Sequence, residues 1–150
     1  MKTILPYVLN RSRALPADVA VDIRSALANV PDVFDAFDAF ARDRKDTAAW
    51  ESYLDSLQTL EDSIALVGEC YFDPEFTAFG AGASNLYHKV KGLADDVKFL
   101  RGQAPDAEWL ASRNGNVLRK VADVLEGMAL AFEASSAITA RLADALTPDA

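Results

Sequence analysis

Apolar side chains recur at three- and four-residue steps through Trp50, Tyr53, Leu54, Leu57, Leu60, Ile64, Val67 and Tyr71. That rhythm keeps returning to one face of a helix with 3.6 residues per turn, and it does not fit the two-residue alternation of a half-buried strand. The same spacing governs most of the chain. It runs through Val19, Ile23, Leu27 and Val30, then Val33, Phe34, Phe37 and Phe40, then Leu86, Val90, Leu93, Val97 and Leu100. A last stripe holds Val117, Val121, Leu125, Met128, Phe132, Ser135, Leu142 and Leu146. Only a few residues near Ile4 to Leu9 alternate as a strand would. A buried Leu, Ile or Phe contributes about 1.5–3 kcal/mol, against about 0.3–0.5 kcal/mol for an exposed charge pair, so the stripes and not the charges select the fold. The expected class is all-α, an antiparallel bundle of five to six helices.

Proline, glycine and aspartate divide the pattern. Pro16 suits a first turn, where no N–H is needed, and Pro31 is expected to close the first helix and leave Asp32 as N-cap of the next. A third helix opens near Asp46, and Gly102 with Pro105 ends the fourth. Residues 113–116 (RNGN) offer Gly115 as a left-handed cap and Asn116 as the start of the last helix, or else a kink within it. From 117 to 146 this long C-terminal helix would extend about 45 Å. The 150 residues suffice for one domain with its own core. Residues 1–15 are expected to pack across the bundle, and 147–150 to form a short disordered tail.

Charge is unevenly spread over a chain whose net charge is −8. Residues 1–15 carry Lys2, Arg11 and Arg13 without an acid, residues 16–70 carry twelve acids against four bases, and residues 71–150 carry eleven against eight. Nucleic-acid affinity comes largely from cations displacing counterions from phosphates, so the acidic middle disfavours that partner and favours a protein with a basic surface. The apolar run at the start is short and interrupted by Pro6, and no stretch reaches the length of a membrane span. The expected setting is the cytoplasm.

Counting ligands removes most catalytic chemistries. One cysteine and one histidine cannot build a Cys/His zinc site, and a di-iron bundle needs Glu-x-x-His on two helices. Asp95–Asp96 lacks the third acid of a magnesium motif, and the FGAGASN run at 79–85 matches neither nucleotide-binding fingerprint. No cofactor is expected, and neither is an enzymatic role.

Two sets of residues remain. Asp32, Asp35 and Asp38 lie at three-residue steps opposite Phe34, Phe37 and Phe40, and Asp55 and Asp62 continue the negative potential on the third helix. Together with the loop aromatics Phe76 and Phe79 they form the expected partner-binding surface of a non-enzymatic interaction module, of the inhibitor, immunity, adaptor or chaperone type. The alternative is a small-ligand or catalytic pocket under residues 72–88, lined by Cys70, Phe76, Phe79, Tyr87 and His88. The last helix also offers apolar surface that a second copy would cover, making a homo-oligomer.

Overall fold

The computed structural model describes residues 15–73 and 82–146, and every regular element among them is helical. Expectations concerning residues 1–14, 147–150, Phe76 and Phe79 lie outside the described residues. In chain order the elements are α1 (Pro16–Leu27), α2 (Asn29–Arg42), α3 (Thr47–Val67), a π turn (Gly68–Phe72), α4 (Gly82–Arg101) and α5 (Leu110–Leu146). No helix among the described residues is long and apolar enough to cross a membrane.

Pro16 opens α1 as its sequence position suggests, behind an extended Leu15. The next boundary falls elsewhere than expected. Ala28 keeps helical angles, φ −63° and ψ −19°, and α2 begins at Asn29, so Asp32 sits inside the first turn and caps nothing. Pro31 has no N–H to donate to the carbonyl of Leu27, and its ring crowds that carbonyl, so α1 stops at Leu27. The proline itself is accommodated in the first turn of α2. Asp46 does cap α3, its carboxylate accepting from the Ala49 amide at 3.1 Å.

The core is one continuous cluster. Val19 and Ile23 of α1, Val33 and Phe40 of α2, and Leu57, Leu60 and Ile64 of α3 are all fully buried. Val90, Val97 and Leu100 of α4 and Leu118, Val121 and Leu125 of α5 complete it. An aromatic group ties α2 to α3, with ring centroids 5.2 Å apart for Phe37 and Tyr53 and 4.8 Å for Phe40 and Trp50. The π turn approaches α4 closely at Gly68, where an added Cβ would lie 3.2 Å from a Val90 methyl.

The stripe on α3 runs as expected up to Val67 and then shifts. Phe72, not Tyr71, is fully buried, because the π turn places the next inward position five residues on instead of four. Tyr71 is turned aside and donates its hydroxyl to Asp22 of α1.

α5 is longer than expected and passes through residues 113–116 without a break, 37 residues covering about 55 Å. Asn114 accounts for this. It is 2% exposed, and its Oδ1 accepts from the Tyr53 hydroxyl at 2.6 Å, so an amide that would favour a turn in water finds its partner only when helix carries it into the core. The inward stripe correspondingly runs through Leu110, Asn114 and Leu118, with Val117 half-buried. Beyond Phe132, Ile138 and Leu142 are exposed.

Candidate functional site

Asp32, Asp35 and Asp38 of α2 and Asp55 and Asp62 of α3 are all exposed. None makes an ion pair among the described residues. The cations that do pair are engaged elsewhere: Arg24 with Glu126 and Glu133, Arg101 with Glu61, and Lys120 with Asp96. Asp62 accepts from Gln58 one turn earlier, at 2.8 Å.

Two of these carboxylates face one depression. A groove of about 260 Å³ between α2 and α3 is lined by Asn29, Asp32, Ser52, Asp55, Ser56 and Thr59. Its polar character follows from a hydroxyl row at 52, 56, 59 and 63, which three- and four-residue spacing puts on the α2-facing flank of α3. Ser56 donates to the Ser52 carbonyl at 2.9 Å, Thr59 to that of Asp55 at 3.0 Å, and Ser63 to that of Thr59 at 2.9 Å. Asn29 gives an amide hydrogen to Ser63 Oγ at 2.9 Å.

These bonds decide what the groove offers. Ser56, Thr59 and Ser63 have each spent their single hydrogen on their own helix, so Ser56 and Thr59 keep only lone pairs for a visitor. Asn29 retains its carbonyl oxygen, and the two aspartates, when ionised, are acceptors only. The lining is therefore rich in acceptors and negative charge, and it suits an ammonium or guanidinium group. Sequence reasoning found Asp32 and Asp55 but missed Asn29 and the hydroxyl row. The signal available was the repeat of small hydroxyl residues in step with the core positions of α3.

Of the alternative set, Cys70, Tyr87 and His88 are among the described residues. Cys70 opens on a crevice between α1 and α3, beside Asp22, Asn29, Ser63 and Tyr71. Tyr87 instead lines a groove of about 210 Å³ between α3 and α4, with Gly68, Val90 and Lys91. His88 is exposed on α4 and meets the Tyr87 ring edge-on, centroids 5.6 Å apart. The thiol and the phenol thus line different cavities. Burial pushes the Tyr71 phenol well above its ordinary pKa, with the bond to Asp22 adding to the shift, which keeps it a donor. No group of three His, Cys, Asp or Glu side chains among the described residues is placed to hold a metal ion.

A surface aromatic group went unnoticed in the sequence. Phe99 and Trp109 stack with centroids 6.3 Å apart, both about half exposed, and Arg113 lies over the two rings at 5.4 and 5.7 Å. It covers the join between α4 and α5. Neither a protein-family model, nor a curated protein, nor a solved structure matches the chain.

Proposed function

We propose that this protein is a non-enzymatic interaction module that docks a basic partner protein on the acidic α2–α3 face. The reading includes an antiparallel helical bundle as scaffold and a cytoplasmic setting, for which the single cysteine speaks. One observation carries it: the groove at Asp32 and Asp55 presents two carboxylates beside the lone pairs of Ser56 and Thr59, whose hydroxyl hydrogens are already bound within the fold. A lysine ammonium has three donors and no acceptor, and an arginine guanidinium has five donors, so either complements such a lining. Asp35, Asp38 and Asp62 extend the field around it and steer approach more than they hold the complex. Phe76 and Phe79, which lie outside the described residues, belong to the same proposed set of partner-binding residues.

The test uses a lysine- and arginine-rich peptide labelled for fluorescence anisotropy. Binding is expected at about 0.01 M salt and should weaken steeply toward about 1 M, as the Debye length falls from about 30 Å to about 3 Å. Asp32→Asn combined with Asp55→Asn should abolish it, whereas Asp95→Asn on α4 should leave it nearly unchanged. Equal losses from both would mean that net charge alone, and no particular face, attracts the peptide.

A further inference from the structure

Two aromatic rings stand in the open where α4 gives way to α5. Phe99, in the last turn of α4, is 48% exposed, and Trp109, directly before α5, is 45% exposed. Each is next in sequence to a fully buried leucine, Leu100 and Leu110, so the backbone that carries the rings is anchored in the core. Local hydrogen bonds hold it further. Gln103 donates its side-chain amide to the Phe99 carbonyl at 2.8 Å, and the Arg113 backbone amide donates to the Trp109 carbonyl at 3.0 Å. The rings themselves are stacked. A fixed, flat, half-exposed aromatic pair is the material of binding hot spots, because little conformational freedom is left to lose when a partner covers it.

Arg113 indicates what that partner carries. Its guanidinium lies over both rings, and attraction to a ring leaves the N–H donors of the cation unspent. The side chain is exposed and makes no hydrogen bond or ion pair among the described residues, although Asp106 and Glu108 lie just before Trp109 in the chain. Residues 86–120 as a whole carry seven bases against four acids, the reverse of the balance in residues 16–70. Arginine donors in a planar fork match a carboxylate two bonds at a time.

We propose that Phe99, Trp109 and Arg113 form a second docking site, distinct from the α2–α3 face, that takes an acidic peptide segment of a partner protein. A carboxylate of the segment accepts from the Arg113 guanidinium, and a neighbouring aliphatic side chain covers the two rings. Both parts are required. An anion alone gains little from one exposed arginine, and an apolar chain alone would leave the guanidinium donors unsatisfied in a dry contact.

The experiment titrates the full chain into a fluorescein-labelled peptide of glutamate and leucine with blocked ends, followed by anisotropy. Salt is held at about 0.15 M, where a Debye length of about 8 Å limits repulsion from the distant acidic face. Arg113→Gln should weaken binding about tenfold or more, as expected when a charge-assisted pair is lost from a desolvated contact. Trp109→Ala should weaken it comparably, and Arg113→Lys, which keeps the charge without the fork, should restore only part of the affinity. Arg119→Gln removes an exposed cation from the same helix and should change binding by less than about twofold. Circular dichroism should show the same helix content and melting temperature for Arg113→Gln as for the unaltered chain. Absence of binding overturns the proposal, as does an equal loss with Arg119→Gln or equal affinity for a peptide with glutamine in place of glutamate. Displacement of the peptide by duplex DNA would assign the site to phosphates, and a dimer in sedimentation that Arg113→Gln abolishes would assign it to a second copy; either result overturns it too.

Discussion

On the α4 side of α3, Glu61 meets Arg101 with 2.5 Å between carboxylate oxygen and guanidinium nitrogen, and both side chains are mostly buried. On the α2 side of the same helix, Asp55 shares a groove with Asp32, and no cation among the described residues pairs with either. The two flanks differ in what their charges do for the fold. A carboxylate taken from water must be compensated, which Arg101 does for Glu61. Aspartates left in water need no compensation, but two of them facing one groove repel slightly, so their placement adds nothing to stability. Charge that does not support the fold remains available for a partner.

Breaking the paired flank should have the larger effect on stability. Arg101→Met leaves Glu61 partly buried opposite an apolar chain, and a loss of about 1–3 kcal/mol is expected in urea denaturation. Glu61→Gln combined with Arg101→Met should recover most of it, and no recovery would mean that the arginine acts through its packing. On the open flank, Asp32→Asn with Asp55→Asn should change stability by no more than about 0.5 kcal/mol, in the stabilising direction if repulsion dominates, while cation binding is lost. A large destabilisation there would show the acids to be structural and would remove the contrast between the flanks.

The smallest effect is expected at the α1–α5 contact, where Arg24 bridges Glu126 and Glu133 on the surface. The bond from Arg24 holds the Glu133 carboxyl below its ordinary pKa. A depressed carboxylate contributes stability above its unfolded value, about 4.3 for glutamate, and the contribution is lost as pH falls through the lower folded value. Melting temperature followed from about pH 5 downward should therefore show a slight extra acid-side decline that Glu133→Gln lacks. Added salt should flatten it, because the pair is solvent-exposed.

Much of the fold was legible because core positions advertise themselves by spacing. The α3 stripe and the Asp46 cap follow from local rules that tertiary contacts do not override. The continuity of α5 through residues 113–116 depends on side-chain contacts, one distant in the chain and one local. Asn114 looks like a helix breaker until Tyr53, 61 positions away, is seen to occupy its amide. Gly115 looks like a cap, yet it stays within the helix, and the Arg119 side chain folds over it to donate to its carbonyl at 3.1 Å. The acidic face was read from its spacing, but its acceptor character depends on where hydroxyl hydrogens go, which no sequence pattern states.

The π turn at the end of α3 has a consequence for chain length. Removing Glu69, which is exposed, would bring Phe72 to the fourth position after Val67, the ordinary interval of an α-helix, with the core ring still facing inward. The hydrophobic interior would accept a chain one residue shorter. What would be lost is the sideways presentation of Cys70 and Tyr71, so the surplus residue serves the outside of the molecule and not its interior.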